Sequence, residues 1–181
     1  GLARAGQPAG RHGRRLAGRG LLSRLFAPKP LPEIVYSEQG KPTFSNDYPL
    51  WFSVSQCEDD IAVIVSDEGD VGCSLEHIRP QDNWRTLANA VFSNAEHAEL
   101  ENETPESQLD AFWRIWTRKE AIVKQRGAHS WQIVSFDSAA SELHTVSQCQ
   151  VGSLSLAVCT ATPFELTTSR VHSPDEALAG R

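Results

Sequence analysis

From Gln108 to Arg126 the chain runs without a proline or glycine, and Gly127 follows immediately. No other stretch carries so strong a helix signal, and a glycine just past the last turn is the usual stop. Around this helix the segments are short. Arg14 to Phe26 places Leu16, Ala17, Leu21, Leu22, Leu25 and Phe26 at helical spacing, and Pro28, Pro30 and Pro32 end it. Strands are expected at 34–36, 51–55, 61–66, 71–78, 131–136, 143–149 and 154–160, with further β character at 164–168. A helical stretch covers 84–92, and Ser93 with Glu96 three residues on forms a capping box that opens another helix through Leu100. The order helix–strands, then strand–helices–strands, reads as an α+β fold of two similar half-domains, each a small, mainly antiparallel sheet with helix packing. The expected division is 1–70 for the N-terminal half, 71–172 for the C-terminal half and 173–181 for a frayed tail.

Charge narrows the function classes. The 181 residues hold 17 Lys and Arg against 23 Asp and Glu, yet residues 1–30 carry seven basic residues and no acid. A basic arm on an acidic body points to a localised anion site, not to general nucleic-acid binding. No stretch approaches 18 uninterrupted apolar residues, so no membrane helix is expected. The four cysteines, Cys57, Cys73, Cys149 and Cys159, lack C-x-x-C pairing and zinc-finger spacing, as reduced cysteines of a cytoplasmic protein would. The chain begins at Gly1 and has no Met, which suggests a fragment or a processed product. An Arg-rich, acid-free arm also resembles a transit peptide, but residues 14–26 read as part of a fold, and 1–13 as a loose lead-in.

Three segments could carry chemistry. Trp116, Glu120 and Lys124 stand at i, i+4 and i+8 on the long helix, with Lys119 beside them. A carboxylate flanked by lysines can hold a divalent metal while the ammonium groups grip phosphate; read alone, it is a surface Glu–Lys pair. In Val71-Gly72-Cys73-Ser74-Leu75-Glu76, residues 74 and 76 share one face of a strand, and Gly72 lets a ligand or another backbone approach closely. The turn Ser55-Gln56-Cys57, with Lys41 of Gly40-Lys41-Pro42 upstream, could orient phosphates.

Taken in order, Gly40-Lys41-Pro42, Phe52-Ser53-Val54-Ser55-Gln56, Gly72-Cys73-Ser74-Leu75-Glu76, Ser93-x-x-Glu96 and Trp116-Thr117-Arg118-Lys119-Glu120-Ala121-x-x-Lys124 resemble the 4′-phosphopantetheinyl transferases of the surfactin-synthetase-activating type. The likeness is closest to the short AcpT-like holo-acyl-carrier-protein synthase branch and runs from about Arg14 to Thr168. It implies two α+β halves with coenzyme A and Mg²⁺ in the cleft between them. The implied reaction moves the phosphopantetheine arm of coenzyme A to a serine of an apo acyl carrier protein. The resemblance assigns Glu76 and Glu120, with Ser74, to the metal. Glu120 and Lys124 become catalytic, and Arg14, Lys41, Ser55, Gln56, Lys119 and Lys124 contact coenzyme A. A monomer with no nucleic-acid or membrane partner is expected, with carrier docking near Arg114, Arg118 and Arg126.

The departures from the family pattern fall on ligand positions. G-[IV]-D-x-E reads Gly72-Cys73-Ser74-Leu75-Glu76, so Ser74 stands where the first metal carboxylate is expected. F-N-[IL]-S-H-S reads Phe52-Ser53-Val54-Ser55-Gln56-Cys57, so Gln56 replaces the His and Ser53 the Asn. Losing about 3 kcal/mol of net attraction weakens Mg²⁺ roughly a hundredfold, but a serine can offer a neutral oxygen or hold a water. The same departures fit an alternative, a degenerate member that binds coenzyme A or a carrier protein without turnover. Family members start with a strand before the Arg14 helix, for which this chain has little room, so the first sheet is expected to lack an edge strand.

Overall fold

The computed structural model describes residues 2–4, 10–45 and 47–173, with side chains from Ala17 onward. Its order is β1 (Leu2–Arg4), α1 (Gly10–Phe26), β2 (Ile34–Tyr36), β3 (Pro42–Phe44), β4 (Trp51–Cys57), β5 (Asp60–Ser66), β6 (Gly72–His77), α2 (Trp84–Val91), α3 (Asn94–Glu101), α4 (Gln108–Arg126), β7 (Thr145–Val151) and β8 (Leu154–Thr160). Two three-stranded antiparallel sheets, β1-β5-β4 and β6-β8-β7, accompany a small β2-β3 ladder. The fold is α+β, as the element order implies.

Each large sheet has a long helix of its own. α1 buries Leu21 and Leu22 against Phe52, Ile61 and Val63 of the first sheet, with Phe44 of β3 completing the cluster. α4 lays Ala121 and Ile122 on Ala157 and Cys159 of the second. The other end of α4 packs Phe112 and Trp113 with Ala88, Phe92 and Leu100 of the α2–α3 segment. That segment is fixed by the expected capping box. The Ser93 side chain accepts from the Glu96 amide at 3.1 Å, and Glu96 Oε1 accepts from the Ser93 amide at 2.7 Å. Gly127, with φ of 65°, closes α4, and its amide and that of Ala128 bond back to the carbonyls of Lys124 and Val123.

The two sheets meet where β4 runs beside β6. Ser53 Oγ accepts from the Cys73 amide at 3.0 Å and Ser55 Oγ from the Leu75 amide at 3.1 Å. The equal spacing of the two pairs makes the strands parallel. Side-chain hydroxyls thus take the part that carbonyls play in a backbone ladder, and buried amides are satisfied without one.

Several expectations are corrected. The first sheet does not lack an edge strand: β1 pairs with β5, Leu2 opposite Ala62 and Arg4 opposite Asp60. α1 starts at Gly10, so the loose lead-in is shorter than residues 1–13. Residues 5–9 and 174–181 lie outside the described residues. The stretch 131–136 is not a strand but two 3₁₀ turns over Ser130–Ser135, capped by reciprocal His129–Gln132 bonds. Trp131 and Val134 stand exposed three residues apart, one 3₁₀ turn from each other. Residues 164–167 are irregular, followed by a 3₁₀ turn at Thr168–Arg170.

Candidate active site

Gly72 decides where α4 lies. A Cβ at this position would stand 2.2 Å from the Ala121 carbonyl oxygen and 2.3 Å from the Gln125 nitrogen. The close approach expected of Gly72 is therefore that of the helix backbone itself. It brings Glu120 of α4 over Ser74 and Glu76 of β6, and Ser74 Oγ donates to Glu120 Oε1 at 3.1 Å. Glu76 turns its Oε2 outward, where it accepts from Arg79 Nη1 at 3.3 Å and Cys57 Sγ at 3.5 Å. Burial pushes the Cys57 thiol up to about 11, so it keeps the proton it donates. Burial, then the negative charge of Glu76, push the Glu120 carboxyl up to about 8, against the pull of Lys124 and the Ser74 hydroxyl.

These groups form one wall of a cleft of about 560 Å³ between the two sheets. Lys124 reaches its floor, with Nζ donating to the Val54 carbonyl at 3.2 Å. Ser55 and Gln56 of β4 also line it. The Ser55 hydroxyl accepts from Leu75, while the Gln56 amide donates to the Glu58 carbonyl at 3.1 Å and leaves a buried Oε1 with no hydrogen-bond partner among the described residues. The opposite wall comes from α1 and the β2-β3 ladder, through Gly18, Arg19, Ile34, Tyr36 and Pro42. Glu76, Glu120, Lys124, Ser55 and Gln56 are thus brought together, with Ser74 behind them.

Three expected cations do not join them as described groups. Lys119 is corrected. Its side chain is 0% exposed, and its ammonium donates to Glu96 Oε1 at 2.8 Å and to the Phe136 carbonyl. One position from Glu120 on a helix is a turn of about 100°, which points Lys119 into the protein. Lys41 borders the cleft from a neighbouring hollow, its ammonium held by Asp70 Oδ1 at 3.3 Å and by the carbonyls of Val71 and Gln125 at 3.3 and 3.0 Å. It caps the carboxyl end of α4, where a cation is favoured. The Arg14 side chain lies outside the described residues. Of the expected docking arginines, Arg118 chelates Glu99 at 3.0 and 3.1 Å and Arg114 pairs with Glu103 at 3.0 Å, so neither offers free charge. Arg126 is exposed and bonds the Leu143 carbonyl.

Arg19 is the cleft residue that sequence reasoning passed over. It stands one position past Gly18, a turn of about 100° that carries it from the buried seat of α1 to the exposed side, and no local pattern marks it. A Cβ on Gly18 would lie 2.8 Å from Val54 Cγ1, so α1 rests directly on β4.

A divalent metal suits the donors present. Glu76, Glu120 and the Ser74 hydroxyl are hard oxygen ligands, and the like-charge pressure that raises Glu120 is what a cation relieves. Among the described residues no group of three or more His, Cys, Asp and Glu could hold one, because the third oxygen here is a serine's. Nor is any described helix long and apolar enough to cross a membrane.

Comparison with known proteins gives the family. A family model described as the 4′-phosphopantetheinyl transferase superfamily matches residues 70–179. The 4′-phosphopantetheinyl transferase AcpT of Salmonella typhimurium is 65% identical over 156 residues, covering 86% of this chain and 80% of the relative. AcpT of Escherichia coli K12 is 60% identical over 162 residues, covering 90% and 82%. A more distant relative, the 4′-phosphopantetheinyl transferase of Bacillus subtilis, is 30% identical over 90 residues, covering 50% and 39%. The family match spans β6 through β8, more than half of the chain, and the AcpT matches cover 86–90% of it: the chain belongs to the 4′-phosphopantetheinyl transferase superfamily.

Proposed function

We propose that this chain transfers 4′-phosphopantetheine from coenzyme A to a serine of an apo acyl carrier protein, with Mg²⁺ as the metal. One observation carries the reading: the Glu76–Glu120 pair and Lys124 converge in a cleft between the sheets. The serine oxygen bonds to the phosphorus that carries pantetheine, and the bond to the bridging oxygen of the diphosphate breaks. The serine proton passes to Glu120, or to a water it holds, and adenosine 3′,5′-bisphosphate leaves. Burial and the charge of Glu76 raise Glu120 to about 8, so the unliganded carboxyl is mostly protonated at neutral pH and accepts the serine proton only from its ionised fraction, which a bound cation would enlarge. Lys124 binds phosphate oxygens, and Ser74 orients Glu120 through its 3.1 Å hydrogen bond. Glu76 and Glu120, with Ser74 or its water, would hold Mg²⁺, which would supply neutralisation of the charge that builds on the departing 5′-phosphate.

The second reading, binding without turnover, draws on Ser74 and Gln56. Ser74 brings no charge to the metal, and Gln56 brings none to a phosphate. Intact-protein mass spectrometry of an apo carrier protein, incubated with this chain, coenzyme A and Mg²⁺, separates the two. The transferase reading expects a gain of one phosphopantetheine arm, which Glu120→Gln abolishes. No gain from folded wild-type protein favours binding alone. In that case Ser74→Asp combined with Gln56→His is expected to restore transfer.

A further inference from the structure

We propose that Arg79 is a positioning residue that favours Mg²⁺ over Ca²⁺, by occupying one oxygen of Glu76 so that this carboxylate meets an ion through the other alone. This rests on the metal site of the reading above. Both hydrogen bonds that Glu76 accepts among the described residues fall on Oε2, from Arg79 Nη1 at 3.3 Å and from Cys57 Sγ at 3.5 Å. Oε1 is the oxygen that no described donor holds, and it is the one left for a cation. Mg²⁺ is small, keeps a near-ideal octahedron and is content with one oxygen per carboxylate and waters beside it. Ca²⁺ is larger, takes more ligands and often both oxygens of one carboxylate. A donor pair fixed on Oε2 therefore handicaps Ca²⁺ more than Mg²⁺. The site has two carboxylates only, its third oxygen being that of Ser74, so the manner in which Glu76 binds weighs heavily on the choice of ion.

Arg79 is itself held at several points. Its guanidinium lies over the ring of Trp113, 4.1 Å from the centroid, and the indole nitrogen of that buried residue donates to the Arg79 carbonyl at 2.8 Å. Nη1 also donates to the His77 carbonyl at 3.0 Å. A guanidinium free to swing would yield Oε2 to an incoming ion; one seated on a ring and tied to a carbonyl resists. Trp113 stands on α4 about two turns before Glu120. The same helix thus brings one metal carboxylate directly and seats the group that orients the other.

The test is displacement of Mn²⁺ from the full chain by Mg²⁺ and by Ca²⁺, followed by electron paramagnetic resonance with and without coenzyme A. Glu76→Gln is expected to lose most of the bound Mn²⁺, which locates the signal. Wild type is expected to release Mn²⁺ at lower Mg²⁺ than Ca²⁺. In Arg79→Met that preference should fall at least about threefold, because Oε2 becomes available to the larger ion. Losing the guanidinium charge helps both divalent ions alike and cancels in their ratio. Arg79→Lys, which can still donate to Oε2, should recover part of the preference, and Cys57→Ala should lower it by a smaller factor. Thermal melts report whether each variant is folded. An unchanged ratio in folded Arg79→Met overturns the proposal and leaves the metal site standing; if that variant does not fold, an unchanged ratio in Cys57→Ala does the same. Wild-type protein that binds no Mn²⁺, or Mn²⁺ that Glu76→Gln leaves in place, overturns the metal site with it, while transfer is judged separately by the mass of the carrier protein.

Discussion

Two buried carboxylates of this chain meet opposite fates, and each leaves a mark on the pH dependence of stability. Glu96 is fully buried; burial works against its charge, but hydrogen bonds from Lys119, Ser138 and the Ser93 amide outweigh it and hold the carboxyl below its usual range. A depressed folded-state value means stability present above the ordinary carboxylate range and lost as pH falls through it. Glu120, raised by burial and by Glu76 to about 8, has the reverse sign: the folded apo protein holds a proton that the unfolded chain releases near 4.5. Its contribution is therefore complete at low pH and lost as pH rises toward 8. Melting temperature measured from pH 5 to pH 9 in Glu120→Gln is expected to lose that alkaline decline and to exceed wild type by several degrees at pH 8. A decline of the same size in the variant would show that Glu120 is ionised throughout. Removing one partner of the Lys119–Glu96 pair, as in Lys119→Met, should cost about 3–5 kcal/mol in chemical denaturation, far more than a surface pair. Glu96→Leu in the same chain should recover part of it. The capping box was readable from Ser93 and Glu96, yet the buried partner was not: a lysine beside a motif glutamate reads as a ligand until the helix phase is known.

At the level of elements, the approach of α4 to β6 matters most, and a single missing side chain permits it. Gly72→Ala would drive a Cβ into the backbone of Ala121 and Gln125, and no rotamer change relieves a backbone clash. The helix must retreat, taking Glu120 away from Ser74 and Glu76. We expect a loss of about 2–4 kcal/mol in urea unfolding, with any surviving folded protein impaired in metal-dependent coenzyme A binding. Gly18→Ala is the control: there the obstacle is the Val54 side chain, which can move, so the cost should stay near about 1 kcal/mol. Equal costs would mean that α4 can shift as easily as Val54. Elements with their own signals were legible in advance: α4 with Gly127 behind it, α3 with its cap, and the β4-β5 pair with a polar turn. What failed lacked a local signal. Residues 131–136 are rich in aromatic and β-branched side chains like a strand, but the cap between His129 and Gln132 curls them into 3₁₀ turns. β1 has only three residues, and its pairing with β5 is a long-range fact that no short window contains.

For the whole molecule the question is whether two sheets with two helices behave as one body. Several connections cross between them, among them a 2.8 Å His77–Asp60 pair and the Cys57–Glu76 bond. Ser53 and Ser55 hold the amides of β6, Lys124 of α4 reaches the Val54 carbonyl, and Lys41 binds Asp70, Val71 and Gln125. The Lys41 side chain is 13% exposed, so its ammonium faces the carboxyl end of α4 largely out of water. Lys41 and Ser55 were expected to touch ligand, and such placement is illegible in a sequence because it depends on which sheet lies next to which. The cleft exists only while these connections hold, since its walls belong to different sheets. Unfolding should therefore be a single event. Urea transitions followed by tryptophan fluorescence, which weights Trp113 and Trp116 of the second half, and by far-UV circular dichroism should coincide. Lys41→Met removes charge from a position that three acceptors surround, and should lower the midpoint by about 1–2 kcal/mol of stability without splitting the transition. Two transitions in wild type would show that the halves fold apart and that the cleft is a later docking. Two in Lys41→Met alone would make Lys41 the connection on which the common transition depends. In both cases coenzyme A, which would touch both walls, should draw the transitions together as its concentration rises.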